Sequence, residues 1–581
     1  MSAARLAGGG GDEAGGAGLA DGGRLAQLAV TVVVAALVLG PLAPILVQAL
    51  RSTPLYEATG SFGLDAFARL LAHPLFAPAV KNTLVFALAS TAIAQAIGVV
   101  FALFVVRTNL PGRRLIGGVF LWPLFVSHLV LAFGWILAFG PAGVVTGWAG
   151  ALFGLEPGTA AWNLYTMAGL SIAAGSALAP LTYLYCVSSL QTIDPALEAA
   201  AQIAGAGPLR ALAAVTLPLL RPALLASAML NFVLAIELLA LPLLLGGPVG
   251  LHFLTTFIYG QGLEAAKPDM SVVAACAVLL IGVVTLLVIA QGRLLGDARR
   301  FVTVGGKAAR QRPLELGAAR WLVAAALGAY VLLSVAAVLG ALALRAVTTA
   351  FSPYTPLAEL LTWGNFTALA EVPEYLRALS NTVVLGVAGG LIGTALVAAA
   401  ALVSLRSDWP LARPLEFVAL YPRAIPALLV SIGVFWMAAW VPGANALQGT
   451  LWILLIAFTM RHLPTGYGVF TPSLVQISQD LDRAARVSGA SWLRTTWRVI
   501  LPQLKLPLAA CFALLFVSIA KEYAAAVFLY GPGTEILGTT MLTFWLQGEH
   551  GAVAALAVVQ IAIVALALWA TRVLFKVRLY G

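Results

Sequence analysis

Charge is what this chain of 581 residues has least of: Asp, Glu, Lys and Arg together make up 10% of it, against 61% hydrophobic residues and a mean hydropathy of +0.98. Soluble domains carry about 25% charged residues, so the scarcity excludes a soluble globular protein and leaves a polytopic membrane protein. Cysteine is nearly missing as well. The three present, Cys186, Cys276 and Cys511, fall inside apolar runs with no spacing that suggests a disulfide framework or a metal site, and they read as small core residues. A phosphate-binding loop is also lacking: VGGKAAR, from Val304, has a Gly-Lys pair without the preceding glycine spacing or the following Ser/Thr, so no nucleotide site and no cofactor are expected. Nor is a cleavable signal expected. The first 23 residues (MSAARLAGGGGDEAGGAGLADGG) hold no apolar core and read as a disordered cytoplasmic tail, with the first span retained as an anchor.

What the chain does contain is apolar sequence in runs. Crossing about 30 Å of hydrocarbon takes roughly 20 residues, and about twelve such runs begin near Leu25, Ala79, Leu115, Trp162, Leu219, Met270, Trp321, Asn381, Phe417, Thr450, Leu506 and Ala552. The net charge of +10 would suggest nucleic acid in a soluble protein, but here it gathers in the connections between runs, so the expected surroundings are lipid. Arg107, Arg113 and Arg114 share one short loop; Arg293, Arg299, Arg300, Lys307, Arg310, Arg312 and Arg320 crowd the central connection; Arg572, Lys576 and Arg578 close the chain. The connection from Pro141 to Ala161 has no Lys or Arg, as a translocated loop should. This alternation places both termini in the cytoplasm.

One polar segment occurs twice. LEAAAQIAGAGPLRALAAVTLP runs from Leu197 to Pro218, and LDRAARVSGASWLRTTWRVILP from Leu481 to Pro502, at an offset of 284 (482 − 198). Between Leu197–Leu224 and Leu481–Leu508, 12 of 28 positions are identical, among them Gly205 with Gly489, Arg210 with Arg494 and Pro218 with Pro502, types that hydrophobicity alone does not supply. The same offset pairs Pro180 and Tyr183 with Pro464 and Tyr467, while NTLVFA at Asn82 answers NTVVLG at Asn381 at a slightly different one. The expected organisation is a tail (1–23), a first half (24–296, core about 79–293), a basic linker (297–319) with Gly305, Gly306 and Pro313, and a second half (320–581, core about 378–575). Six spans per half make the halves parallel repeats, with a passage between them.

In the first copy a helix through Leu197, Ala200, Ala201 and Ala204 is broken by Gly205 to Gly207, and Pro208 is placed to open the next helix. In the second, Ser488 and Gly489 end the helix and Ser491 is placed to cap its successor. Small residues at the bend let another surface approach the backbone. A single copy reads equally well as an amphipathic helix resting on the bilayer. Duplication of the glycine, and of a proline thirteen residues on, favours a helix shaped to dock.

EAAAQIAGAGPLRALAAVTLP resembles the EAA loop of ATP-binding cassette (ABC) importer permeases: Glu198, Ala199 and Ala200, then Gly205, Arg210 and Pro218. The second copy is similar, with Asp482, Ala484, Gly489, Arg494 and Pro502, but its carboxylate is shortened and Arg483 replaces the first Ala, a departure that bears on affinity for a partner. MRHLPTGYGVFTPSLVQISQDLDRAARVSGA and KEYAAAVFLYGPGTEILGTTM further resemble the fused, twelve-span permeases of the ferric iron importer branch, whose relatives carry thiamine, polyamines or sulfate. The resemblance implies an all-α membrane protein of the type I importer fold in a bacterial inner membrane, itself not an enzyme. It also implies two copies of a cytoplasmic ATPase subunit seated on the two loops as coupling helices, a periplasmic solute-binding protein, and ferric iron as the favoured cargo. The rival is an ion-coupled secondary transporter with parallel six-helix repeats, which leaves the duplicated loop unexplained.

Charges within spans are costly and commonly line a pathway. The 284-residue offset sets Lys521, followed by Glu522, against Glu237, so these three are expected to line the passage near its outer gate, with Glu237 and Lys521 pairing across the pseudo-two-fold. Arg461 and His462, in the tenth run, are further candidates. A lone membrane histidine is more often bonded to a neighbouring helix than to a metal, and no second ligand stands at i+3 or i+4, so no metal site is assigned.

Overall fold

The computed structural model describes residues 12–55, 57, 59–154, 163–298, 313–351 and 355–575. Most of the linker, with Arg299, Arg300, Lys307, Arg310, Arg312 and VGGKAAR, lies outside them, as do Lys576 and Arg578. Among the described residues, nine helices are long and apolar enough to cross a membrane, or up to twelve if each bent pair is one span. The opening helix, Asp12–Leu39, begins inside the segment read as a tail.

Prolines and a glycine set the bends. Ala412–Ala424 and Ala427–Trp440 meet at 112°, because Pro422 and Pro426 withhold the amides that a continuous helix would need. Leu212–Leu219 and Arg221–Glu237 meet at 61°, around Pro218 and Pro222. Pro242–Val249 and Leu254–Glu264 meet at 84° across Gly250, whose φ of +70° favours glycine. This last pair lies between the runs starting at Leu219 and Met270, where no separate element was expected. Hydropathy reads how apolar a stretch is, not its direction, so a broken apolar segment merges with its neighbour. The Pro141–Ala161 connection likewise contains a helix, Val144–Phe153.

The chain packs as two compact units. One gathers Met1–Ile45, Leu379–Thr534 and Ile563–Gly581, the other Leu46–Ala378 and Glu535–Ala562. In the first, helix Asp12–Leu39 lies against Ala412–Leu420 and Leu451–Gln476, with Trp409 Nε1 donating to Thr31 Oγ1 at 3.0 Å. In the second, Ala337–Ala346 lies against His128–Phe139, where Gly134 leaves no room for a Cβ beside Val338. The opening span of each repeat therefore packs with the core of the other repeat.

Inside the second unit, Phe76–Arg107, Met167–Leu190 and Arg221–Glu237 form a bundle brought close by Gly98 against Thr182 and Gly175 against Ile93. A buried polar network ties it together: Gln95 Nε2 donates to Thr182 Oγ1 and Ser227 Oγ, both at 3.0 Å, and Asn231 Nδ2 donates to Thr182 Oγ1 at 2.8 Å. At the repeat-related positions of the first unit stand Thr394, Gly466, Cys511 and Leu515, a smaller and more apolar set. All three cysteines are buried and free.

Candidate functional site

The two polar segments form short helices with matching ends. The first is Pro195–Ile203, capped at its start by Asp194 Oδ1, which accepts from Ala196 N at 2.9 Å. It stops when Gly205 takes φ +88°, so that Gly205 N reaches Gln202 O and Ala206 N reaches Ala201 O, each at 2.9 Å. The second, Asp480–Val487, stops at Gly489, φ +80°, with Gly489 N to Arg486 O at 2.9 Å and Ala490 N to Ala485 O at 3.0 Å. Both are Schellman ends, which need a left-handed residue after the cap. A Cβ at either glycine would meet nothing within 4 Å, so the dihedral alone accounts for glycine within the chain. Ser491 caps the following turn through Arg494 N, as its place predicts, and the chain resumes at Pro208 in the first copy.

Beyond each break comes a π-helical turn, Leu212–Thr216 and Thr496–Ile500, followed by Pro218 and Pro502. A proline has no amide to continue the wide turn, so the chain resets there into the next long helix. Arg210, Arg494, Ala200 and Ala484 are exposed, and Ala199 falls within the first short helix. At the last turn of each helix the same repeat position carries a bare apolar side chain: Ile203 is 89% exposed and Val487 90%.

The acidic residues behave otherwise. Glu198 is 5% exposed: its Oε1 lies 3.4 Å from Arg107 Nε and accepts from Thr216 Oγ1 at 2.6 Å. Arg107 ends the span Phe76–Arg107 and also donates through Nη2 to Leu190 O at 3.0 Å and Ile193 O at 3.4 Å, the carbonyls at the end of Met167–Leu190. In the other unit Arg406 ends Pro373–Arg406, pairs with Asp482 Oδ2 at 2.7 Å, and donates to Leu474 O at 2.6 Å and to Ile477 O. Trp492 Nε1 closes this second cluster on Arg406 O at 2.9 Å. Arginine suits the place because its fork meets a carboxylate and the carbonyl-rich helix end together. In the sequence Arg107 reads only as a loop charge and Arg406 carries no signal of its own, although both fall at the offset of 299 (406 − 107) that relates Asn82 to Asn381. Arg483 pairs outward with Asp480 at 3.3 Å, clear of this cluster.

Three of the membrane charges sit where helices unwind, while Arg461 and His462 lie within the helix Leu451–Gln476. Glu237 is the last residue of Arg221–Glu237, and Lys521 and Glu522 directly follow Lys505–Ala520. Glu522 Oε1 accepts from Tyr523 N at 3.0 Å and Ala525 N at 3.3 Å, while Oε2 approaches His462 Nε2 to 3.3 Å, so the histidine does face a neighbouring element. Arg461 Nη1 donates to Ile425 O at 3.0 Å, holding the carbonyls freed at the 112° bend. At the repeat-related positions of the other unit stand Ala177, Leu178 and Leu238, so this cluster is not duplicated. Among the described residues no group of three or more His, Cys, Asp and Glu side chains is placed to hold a metal ion.

The unwound segments are fastened alike. Asn82 Nδ2 donates to His252 O at 3.0 Å and Asn381 Nδ2 to Gly533 O at 3.1 Å, while Thr256 and Thr539 accept from Phe253 N at 2.9 Å and Ile536 N at 3.2 Å to start the half-helices Leu254–Tyr259 and Leu537–Leu546. A further duplicated element precedes each long span. Asp65–Ala72 and Gly364–Glu371 follow the antiparallel bridges Arg51–Phe62 and Thr348–Leu361, with Phe62, Leu64, Leu361 and Trp363 exposed at matching positions.

Comparison with known proteins agrees with this duplicated layout. The chain is 26% identical over 498 residues to the ferric transport system permease protein FbpB of Actinobacillus pleuropneumoniae, covering 84% of this chain and 70% of that one. It is 31% identical over 253 residues to a Salmonella typhimurium protein named, by inference, the 2-aminoethylphosphonate transport system permease PhnU, covering 44% of this chain and 85% of that one. A bacterial ABC transporter importing the acidic polysaccharide alginate aligns with 48% of this chain and 98% of its own at 18% identity, but a TM-score of 0.35 adds nothing to the argument. Residues 94–300 and 390–577 each match the family described as binding-protein-dependent transport system inner membrane component. The chain therefore belongs to that family, as a fused two-half permease of the ABC importers, a multi-pass protein of the bacterial inner membrane whose ATP is hydrolysed on a separate subunit.

Proposed function

We propose that this permease imports ferric iron handed over by a periplasmic binding protein, driven by two copies of a cytoplasmic ATPase subunit seated on Pro195–Ile203 and Asp480–Val487. The observation that carries the coupling role is the twofold occurrence of a short, glycine-ended helix presenting one bare apolar residue, Ile203 or Val487, at the same repeat position. A bilayer-resting helix has no need of that repetition. In this reading both termini and the linker 297–319 are cytoplasmic, and the halves 24–296 and 320–581, with cores 79–293 and 378–575, rock between inward- and outward-open states. The paired elements around Phe62 and Trp363 receive the binding protein.

Glu237, Lys521, Glu522, Arg461 and His462 line the passage. Support comes from the helix breaks at which Glu237, Lys521 and Glu522 stand, and from Arg461 and His462, which reach such breaks from within Leu451–Gln476, since transport sites form where interrupted spans unwind. Iron rests on the likeness to ferric permeases over most of both chains, and a phosphonate is the second reading, favoured by the higher identity to PhnU over one half. The test is reconstitution with the ATPase subunit and binding protein encoded beside this chain, assaying ATP-dependent uptake of radiolabelled ferric iron against 2-aminoethylphosphonate. Uptake without the ATPase subunit would overturn the coupling, and uptake of the phosphonate alone would overturn the cargo.

A further inference from the structure

We propose that Arg107 and Arg406 are positioning residues that bolt each coupling helix to the inner ends of two spans, and that Glu198 and Asp482 serve this internal clasp rather than the contact with the ATPase subunit. The inference rests on the coupling reading above and adds how the permease keeps hold of its own levers.

Three observations converge. The carboxylate that opens each segment is turned into the protein: Glu198 is buried and engaged by Arg107 Nε and Thr216 Oγ1, and Asp482 lies 2.7 Å from Arg406 Nη1. Each arginine spans three elements, being the last residue of one long helix, a donor to the terminal carbonyls of a second, and the counter-ion of the short helix. The arrangement recurs with altered detail, since Thr216 gives way to Ile500 and Glu198 to Asp482, while Arg406 meets the shorter acid with Nη1 instead of Nε. Preserved connectivity under changed side chains indicates that the link itself is what both halves use.

The mechanical sense is direct. Without the clasp, Pro195–Ile203 is held by Gln191–Asp194 on one side, the Gly205 break on the other and its packing on Leu212–Thr216, all within its own loop, and a push would pivot it against the spans. With the clasp, displacement of the helix must carry the ends of Phe76–Arg107 and Met167–Leu190 along.

The experiment places spin labels at positions 200 and 114, both exposed and in one packing unit, through A200C and R114C; the native cysteines are buried. The full chain is reconstituted with its ATPase subunit and the label distance is compared before and after trapping with Mg-ATP and vanadate. With the clasp intact the distance distribution stays narrow on trapping. In R107Q it broadens about twofold or more, while the Kd for the ATPase subunit stays within about threefold of the starting value. E198Q, which leaves Arg107 its carbonyl acceptors and so preserves folding, broadens it too, and E198D, the acid used by the other repeat, keeps it narrow. A narrow distribution in both R107Q and E198Q refutes the clasp. So does a rise of about tenfold or more in Kd for E198Q, which would place the carboxylate in the partner's contact. Failure of the unsubstituted chain to capture the ATPase subunit overturns the coupling reading itself, and the clasp with it.

Discussion

Replacing Gly489 by alanine isolates what the glycine is for. At φ +80° a Cβ lies too close to the following carbonyl oxygen, a penalty of about 1–2 kcal/mol for an L-residue. No neighbouring atom lies within 4 Å of that Cβ, so no clash adds to it. The helix it ends has 8 residues, too short to hold together unaided, and the penalty falls on the two hydrogen bonds that close it. If capture of the ATPase subunit needs the closed end, the apparent Kd rises in proportion to the fraction lost, by about 5- to 30-fold for that energy. Asparagine visits the left-handed region more readily than alanine and should recover most of the loss. Titration of the purified permease with labelled ATPase subunit, in G489A, G489N and the equivalent G205A and G205N, reads this directly; each single variant weakens one of two seats. Equal damage by alanine and asparagine, beyond about 100-fold, would mean that the partner's surface touches the glycine and that the dihedral argument is wrong.

Other outcomes follow from the membrane charges and the fastenings. Glu237→Gln and Lys521→Met should each lower uptake without lowering the amount of folded protein in the membrane, and unchanged uptake removes them from the pathway. Glu522→Gln keeps an acceptor for Tyr523 N and Ala525 N but replaces the carboxylate oxygen beside His462, so it should reduce transport with little change in thermal stability, whereas Glu522→Ala should also lower the melting temperature. Equal melting of the two variants would contradict the capping role. Asn82→Ala and Asn381→Ala each remove one side-chain hydrogen bond worth about 1 kcal/mol to an unwound segment, and hydrogen exchange at the half-helices Leu254–Tyr259 and Leu537–Leu546 should quicken by about fivefold; exchange that stays at the starting rate would show that the loops are held by other contacts.

The membrane class was legible in the scarcity of charge and the apolar runs, and the repeat and the two short helices in residue types that an apolar chain does not supply by accident: Gly205 with Gly489, Arg210 with Arg494, Pro218 with Pro502. Ser491 announced its cap for the same local reason. What stayed hidden was non-local. Arg107 already had a sufficient explanation as a cytoplasmic loop charge, and Arg406 meets Asp482 across 76 residues of chain, beyond the reach of any pattern along the helix. The pair Pro242–Val249 and Leu254–Glu264 escaped because its apolar residues merge with those on either side. His462 and Glu522 were each singled out, but nothing in one dimension tells that they lie 3.3 Å apart.

The exchange of opening spans has a consequence for how such a protein is made and kept whole. Each half holds the other's arm: the flank of one core is supplied by Asp12–Leu39 from the far end of the chain, and that of the other by Ala337–Ala346. A half synthesised alone would leave a bare seam, to be filled by lipid or by a second copy of itself. Two fragments severed anywhere between 299 and 312 and made together should instead find one another and stay joined. The peptide between them then serves to fix the count, one lobe of each kind per molecule, more than to supply cohesion.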